Sequence, residues 1–251
     1  MQICAIYGLP RSGTSLLDRT LDAMDSTITI DEAFHPSSDV RARVIQRVDM
    51  GAVGAWDGAS DAMQYIGTVI SVAQKMRAKR LAMKILPSHV HGPSSQSIIR
   101  AIIESDKIIC THRHPLPACI SYYQAERCGV WNLGADDDRA NGGGVYEPIK
   151  LTKEMFRRWA AEQLHPYIDH MRRITDHAGH NVLHVHYASL AVNFSAETRR
   201  ITDHLGGGQL PQHAPVAKIG QWDIRSRVKN WGDIATWFPW NATYATDAPL
   251  V

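Results

Sequence analysis

The chain has 251 residues, with 27 basic and 25 acidic side chains and a formal net charge of +2 at pH 7. This near-neutral balance, with basic residues scattered along the chain, argues against a nucleic-acid partner. The length fits one large or two small domains. We expect a single domain over residues 1–251, because no linker rich in Pro, Gly or Ser divides the chain before residue 129.

Strand and helix patterns alternate along the chain. Short apolar runs predict strands at residues 2–7, 27–30, 80–85, 107–111 and 181–186. Helical spacing predicts helices near residues 14–24, 38–50, 60–78, 94–104, 115–128, 152–177 and 195–205. The alternation predicts an α/β fold, a parallel sheet flanked by helices on both faces in a three-layer sandwich like that of P-loop nucleotide-binding proteins. Ligands of such folds bind at the carboxyl ends of the strands.

The first residues contain no leader pattern. Met1 leads directly into the first strand, without a basic region, a long apolar run or a cleavage site. We therefore expect a cytoplasmic protein with no membrane contact.

The first strand runs into the loop "YGLPRSGTSLLDRT", which precedes the first helix. Free N–H groups of Gly13, Thr14 and Ser15 at the helix start favour an anion, and the hydroxyls of this loop, including that of Ser12, add donors. Nucleotide hydrolases carry a Lys at the position of Thr14. Here the cation comes earlier, at Arg11, so the loop departs from the ATP-binding form.

The fourth predicted strand ends in cations. Its sequence "KIICTHRHP" closes on Thr-His-Arg-His, whereas a magnesium–triphosphate site usually takes an Asp at the end of a neighbouring strand. No His, Cys or acidic pattern elsewhere has a recognised metal spacing. We therefore expect a metal-free site for an anionic donor.

These two motifs resemble those of the sulfotransferase family, whose donor is 3′-phosphoadenosine 5′-phosphosulfate (PAPS) and whose product is 3′-phosphoadenosine 5′-phosphate (PAP). The segment "YGLPRSGTSLL" is similar to the family's 5′-phosphosulfate loop, and "CTHRHPLPACISYY" is similar to its 3′-phosphate motif. The resemblance implies that Arg113 and Ser121 hold the 3′-phosphate, a guanidinium and a hydroxyl on one anion. It is specific at residues 7–17 and 107–123.

Two later segments resemble the family more loosely. In "HVHYASLAVNFSAETRRITDHLG", the resemblance places Tyr187 near the adenine, and Ser195 is a candidate cap for the helix that follows. The segment "RSRVKNWGD" resembles the basic stretch that closes over the 3′-phosphate, which implies contacts from Ser226 and Arg227. A solvated basic turn beside Trp231 is the alternative interpretation.

Sulfuryl transfer needs a base for the acceptor proton and cations for the charge that grows on the leaving phosphate. Arg11 is the first candidate cation, and Lys84 in "RLAMKILP" resembles the family's second catalytic Lys. In "TITIDEAFHP", Glu32 resembles the catalytic Glu that some branches carry after their second strand, so we expect Glu32 as general base and His35 as the alternative. The competing interpretations are an ordinary surface Lys and acidic residues that only cap a helix.

A long segment, "CGVWNLGADDDRANGGGVYEP", interrupts the alternation and predicts a loop at about residues 129–150. It is either a lid over the acceptor, contacted by Trp131 and Tyr146, or a disordered insertion. The Trp-rich tail "WFPWNATY" either folds over the domain or forms a homodimer contact. The acceptor, a small molecule or a carbohydrate with a hydroxyl or amine, is left open.

Two other functions are compatible with the fold. A small-molecule kinase would share the loop, but Thr14 replaces its Lys and the strand-end Asp is missing. A non-catalytic nucleotide-binding protein would keep the phosphate-binding residues and would have no need of Glu32 and Lys84.

Overall fold

The computed structural model describes residues 1–32, 34–35, 61–90, 92–131, 147–211 and 223–237. The strands of this part of the chain are β1 (Gln2–Gly8), β2 (Thr27–Ile30), β3 (Arg80–Ile85), β4 (Lys107–His112) and β5 (Val182–His186). The predicted helix at 38–50, most of the predicted loop at 129–150 and the Trp-rich tail from residue 238 lie outside the described residues.

The helices lie between and after these strands. They are α1 (Thr14–Asp22), α2 (Ala62–Lys75), α3 (Ser95–Ile103), α4 (Pro115–Cys128), α5 (Lys153–Trp159), α6 (His165–Ala178), α7 (Tyr187–Val192), α8 (Phe194–His204) and α9 (Trp231–Trp237). Short 3₁₀ turns occupy Pro87–His89, Gly179–Asn181 and Ile224–Arg227. Of the described helices, none combines the length and the apolar character needed to cross a bilayer.

The predicted helix at 152–177 contains a widened turn. Its two halves, α5 and α6, are joined by a π-helical turn at Ala160–Leu164. Pro166 lies two residues after this turn and has no N–H to donate to the carbonyl four residues earlier, which favours a local change of helical pitch.

All strands run parallel, in the order β2-β3-β1-β4-β5. This confirms the predicted α/β fold with a parallel sheet. The central strand β1 places Ile6 opposite Lys84 of β3 and Gly8 opposite Thr111 of β4. The loop after β1 therefore lies in the middle of the carboxyl edge, where parallel sheets bind their ligands.

Alternate residues of β1 separate the two faces of the sheet, as the two-residue period of a strand requires. Ala5 and Tyr7 pack into a core formed with α2 to α6 and α9, whereas Cys4 and Ile6 pack against α1, α7 and α8. Helices thus cover both faces, as expected for a parallel sheet whose strands are apolar throughout.

The helix α8, predicted at residues 195–205, begins with a different cap from the predicted one. Its cap is Asn193, whose side chain accepts a hydrogen bond from the Ala196 N–H at 3.2 Å, and Ser195 lies inside the helix. The prediction of a Ser195 cap was therefore wrong. The short helix α7 was also missed, because six residues are too few to show a helical period.

Candidate active site

The loop at residues 9–13 joins β1 to α1 through two left-handed residues, Arg11 (φ 68°) and Gly13 (φ 93°). This conformation is unfavourable for a residue with a Cβ and is found preferentially at binding sites. Gly8 has a second constraint, because a Cβ there would collide with the Thr111 hydroxyl on β4. The loop is therefore packed tightly against the end of the neighbouring strand.

Ser12 stabilises the loop from within. Its hydroxyl donates to the Leu9 carbonyl at 2.7 Å and shares a hydrogen bond of 2.5 Å with the Thr111 hydroxyl. Its backbone N–H donates to the same Leu9 carbonyl at 3.1 Å. The Ser12 side chain is buried, and its hydroxyl bonds within the loop and to β4 in this structure. A contact of Ser12 with the ligand stays a prediction.

The start of α1 is open to an anion. Gly13 is the N-cap residue, and no described side chain caps the helix. The first N–H groups of a helix have no intrahelical acceptor and carry the positive end of its dipole. Thr14 and Ser15 form this first turn, so the structure provides a phosphate- or sulfate-sized anion with several backbone donors.

The two motifs predicted to bind phosphate meet in space. Arg11 Nε donates to Ser121 Oγ at 3.1 Å, and Arg113 Nη1 donates to the Arg11 carbonyl at 2.6 Å. Arg11 Nη1 also donates to the Trp131 carbonyl. The contacts arise because β1 and β4 are neighbours, so the loops that follow them share one edge.

Tyr187 packs between these motifs. The Arg113 guanidinium lies 4.3 Å from the centroid of the Tyr187 ring, a cation–π contact. On the loop side, a Cβ added to Gly13 would lie 3.0 Å from Tyr187 Cδ2. One ring therefore contacts both the helix start and the arginine expected at the 3′-phosphate.

Lys84 is buried among acidic groups and is only 2% exposed. Its Nζ lies 3.0 Å from Glu32 Oε1, contacts the Asp31 carboxylate and donates to the Ser15 hydroxyl at 3.2 Å. Burial by itself would lower the pKa of Lys84, but the attraction of Asp31 and Glu32 outweighs it and the pKa is raised. Lys84 is therefore a charged internal residue, and the surface-lysine interpretation does not describe it.

Glu32 connects Lys84 to His35. Glu32 has a left-handed backbone (φ 57°), and its side chain is 24% exposed. While Oε1 faces Lys84, Oε2 lies 3.9 Å from His35 Nε2. The His35 ring in turn lies 5.6 Å, centroid to centroid, from that of His89. The two candidate bases, Glu32 and His35, thus lie on the solvent side of Lys84.

Asp18 was missed by the sequence analysis. It lies on α1 one turn after Ser15, is 2% exposed, and its Oδ1 has no hydrogen-bond partner among the described residues. Burial raises the pKa of the Asp18 carboxyl to about 7, and repulsion from Asp31 adds to this while Lys84 opposes it. The sequence signal that could have indicated Asp18 is its spacing from Ser15, because residues three apart share a helix face.

The C-terminal basic segment packs against α4. Arg227 is buried, and its Nε and Nη2 donate to Gln124 Oε1 at 2.9 and 2.5 Å. The Ser226 hydroxyl donates to the Asp223 carbonyl at 2.7 Å. These contacts dock the segment onto α4, the helix that also carries Ser121. The contacts of Ser226 and Arg227 with the 3′-phosphate stay a prediction.

A polar network anchors the end of β4 just before Arg113. The Tyr167 hydroxyl donates to the Thr111 carbonyl at 3.0 Å, so the hydrogen bond of 2.7 Å between Tyr167 and His112 must be donated by His112 Nδ1. His112 Nε2 then accepts from His184 Nδ1 at 2.7 Å. Burial lowers the pKa of His112 to about 4, with repulsion from His184 and His186 adding to it. The network therefore holds the last residues of β4 in place through a neutral imidazole.

The strands beside β1 do not end in carboxylates. β3 ends with Lys84 and Ile85, and β4 with Thr111 and His112. Within the described part of the chain, no group of three or more His, Cys, Asp or Glu could hold a metal ion. The absence of a metal from the reaction stays a prediction.

A family model described as "Sulfotransferase family" matches residues 4–208. Among curated proteins none gives a significant match. The crystal structure of a sulfotransferase from Alicyclobacillus acidocaldarius aligns with a TM-score of 0.53 and 16% identity, over 95% of this chain and 92% of that one. The sulfotransferase domain from the curacin biosynthetic pathway aligns with a TM-score of 0.52 and 14% identity, over 99% of each chain. At these identities the two structures establish a common fold.

Proposed function

The chain belongs to the sulfotransferase family, and from this premise we propose that it moves a sulfuryl group from PAPS to a hydroxyl or amine acceptor, without a metal. One observation carries the proposal, namely the meeting of two arginine-bearing loops at the carboxyl edge of the sheet. Arg11 Nε lies 3.1 Å from Ser121 Oγ, and Arg113 Nη1 lies 2.6 Å from the Arg11 carbonyl. Two adjacent cationic positions suit a donor that carries anionic groups on both its 5′ and 3′ sides.

The donor groups present fit such a molecule. The uncapped start of α1, with Thr14 and Ser15, and the Arg11 side chain would hold the 5′-phosphosulfate. Arg113 and Ser121 would hold the 3′-phosphate, a guanidinium and a hydroxyl on one anion. When bound, PAPS supplies the activated sulfuryl group.

Glu32 is the general base in this proposal, with His35 as the alternative. The Lys84 ammonium lies 3.0 Å from Glu32 Oε1 and so orients the carboxyl group beside the anion position. Its 24% exposure leaves one side of the carboxylate accessible to an acceptor hydroxyl. His35 lies 3.9 Å from the other oxygen and could receive the proton in turn.

Lys84 and Arg11 stabilise the negative charge that develops on the leaving phosphate. Lys84 Nζ reaches the first turn of α1 through the Ser15 hydroxyl at 3.2 Å, so its charge lies beside the anion position. A positioned donor of this kind contributes a factor of about 10²–10³ in rate.

The acceptor is a small molecule or a carbohydrate in this proposal. Trp131 is 41% exposed, and its ring packs edge-to-face on Tyr122 with 5.4 Å between centroids. Because Arg11 donates to the Trp131 carbonyl, this pair of rings adjoins the anion site, where an acceptor ring could stack. A cytoplasmic location and homodimerisation remain predictions.

The first test is a thermal-shift comparison of PAP, 5′-AMP and ATP with magnesium, since a ligand that binds only the native state stabilises it. We expect stabilisation by PAP well above that by 5′-AMP. Stabilisation by ATP with magnesium alone would overturn the donor assignment and favour a kinase.

The second test is turnover of PAPS with a panel of phenols, alcohols, amines and sugars, followed as PAP release. Glu32→Gln should retain PAP binding and lose turnover, whereas Glu104→Gln, in an exposed ion pair with Arg100, is the matched control. PAP binding with no turnover on any acceptor class would instead favour a non-catalytic nucleotide-binding protein.

A further inference from the structure

We propose that Asp18 is a proton-linked positioning residue of this site, a buried carboxyl that takes up a proton when an anionic donor binds at the start of α1. The inference rests on the proposed function, because it requires an anion at that helix start. It gives the site a built-in pH dependence of donor affinity, separate from the general base.

The position of Asp18 follows from the helix that forms the anion site. Asp18 is one turn after Ser15, on the same face of α1, and the Ser15 hydroxyl accepts from Lys84 Nζ at 3.2 Å. The side chain is 2% exposed, with Oδ1 buried and without a hydrogen-bond partner among the described residues. Burying an ionised carboxylate without partners is far more costly than burying the neutral acid.

The charges that face Asp18 do not compensate for ionisation. Lys84 on β3 is already in contact with two carboxylates, those of Asp31 and Glu32 at the end of β2. From its own helix, Asp18 experiences the attraction of Arg19 and the repulsion of Asp22. With burial as the largest cause, these interactions raise the pKa of Asp18 to about 7, so the donor-free protein holds a partly protonated carboxyl at neutral pH.

Donor binding changes this balance. A phosphosulfate or phosphate at the first turn of α1 adds negative charge one helical turn from Asp18 and offsets the positive end of the helix dipole. The neutral form of Asp18 is then favoured further, so binding is coupled to proton uptake. Because linkage is reciprocal, donor affinity must fall as the pH rises through the range in which free Asp18 loses its proton.

The neutral acid also maintains the geometry of Lys84. An ionised Asp18 would be a third anion competing for a single ammonium, drawing Lys84 along α1 and away from Ser15. With Asp18 protonated, Lys84 keeps its contacts with Glu32 and Ser15, at 3.0 and 3.2 Å, beside the anion position.

The test is isothermal titration calorimetry of PAP binding to the full chain in buffers of different ionisation enthalpy, for wild type and Asp18→Asn. Asn has the shape of the protonated acid and cannot titrate. At about pH 7.5 we expect wild type to take up about half a proton more than Asp18→Asn. The two proteins should bind PAP similarly at about pH 6, and the variant about tenfold more tightly at about pH 8.5. Any proton taken up or released by PAP itself is the same for both proteins and cancels in this comparison.

The control is Asp169→Asn, which makes the same charge change on α6, where the exposed carboxylate lies 3.9 Å from Arg172 Nη1 and does not face Asp18. It should retain the wild-type proton uptake. If Asp18→Asn does not fold, Asp18→Ser serves the same comparison. Equal proton uptake and parallel pH profiles in wild type and the Asp18 variant would overturn this inference and leave the proposed function intact. Absence of PAP binding to every variant at every pH would overturn both.

Discussion

Arg113→Lys tests the 3′-phosphate position quantitatively. The guanidinium lies 4.3 Å from the centroid of the Tyr187 ring and is held by the Arg11 carbonyl at 2.6 Å, so it is oriented before any ligand arrives. Lys keeps the charge but loses the paired donors and the stacking. A hydrogen bond to a charged group contributes about 1.5–3 kcal/mol and an exposed cation–π contact about 0.5–1 kcal/mol. Allowing for the contact that Lys retains, we expect a loss of about 2–3 kcal/mol, or about 30- to 150-fold in Kd.

The assay is calorimetric titration of wild type and Arg113→Lys with PAP and with 5′-AMP, which lacks the 3′-phosphate. The loss should be confined largely to PAP, because only PAP carries the group that Arg113 is proposed to bind. Arg127→Lys, in the last turn of α4 and in an exposed ion pair with Glu147 at 3.3 Å, is the control for the same conservative change. Equal losses for both ligands, or no loss for PAP, would refute the assignment.

Three further predictions concern the core of the site. Lys84→Met should lower kcat by a factor of about 10²–10³, and wild-type turnover would contradict this. It should also lower the unfolding free energy by about 1–3 kcal/mol, which is less than for a fully buried pair because the two carboxylates reach solvent. Tyr187→Ala should weaken PAP binding while Tyr187→Phe retains it, because the ring of Tyr187 and not its hydroxyl contacts Arg113. The Kd of PAP is measured by calorimetry, and equal Kd values for the two variants would refute the packing role. Asp18 has a pKa of about 7 in the folded state against 3.8 ordinarily, so between these values the folded state binds more protons and stability falls as the pH rises. Asp18→Asn should remove this slope and be more stable at about pH 8 by about 1–3 kcal/mol, and denaturation curves that remain parallel across the range would contradict it.

Local patterns were sufficient for the main chain of the site. The strand before Gly8, the helix after Gly13 and the strand that ends before Arg113 are each set by neighbouring residues, because apolar period and turn residues act over a few positions. The parallel sheet followed from the alternation of these elements. The order of its strands did not, since nothing local indicates that β3 lies between β1 and β2.

One prediction was wrong because a neighbouring side chain lies closer to the helix start. Ser195 has the residue type of a cap, but Asn193 lies at the helix start and accepts from Ala196. Ser12 has a hydroxyl in a phosphate loop, and the sequence did not indicate that this hydroxyl bonds to the Leu9 carbonyl and to Thr111. In both cases the residue type named a possible role, and the path of the backbone decided which partner the side chain meets.

The sequence by itself indicated the family and the residues that carry its motifs, since Arg11, Arg113 and Ser121 occur in two short segments that resemble the family's phosphate-binding motifs. Only the tertiary structure decided what these residues and their neighbours contact. The placement of β3 beside both β1 and β2 brings Lys84 to Glu32 and to the helix that bears Asp18. Those groups come from segments far apart in the chain, and their charges interact only once the strand order has been set and water has been excluded from between them.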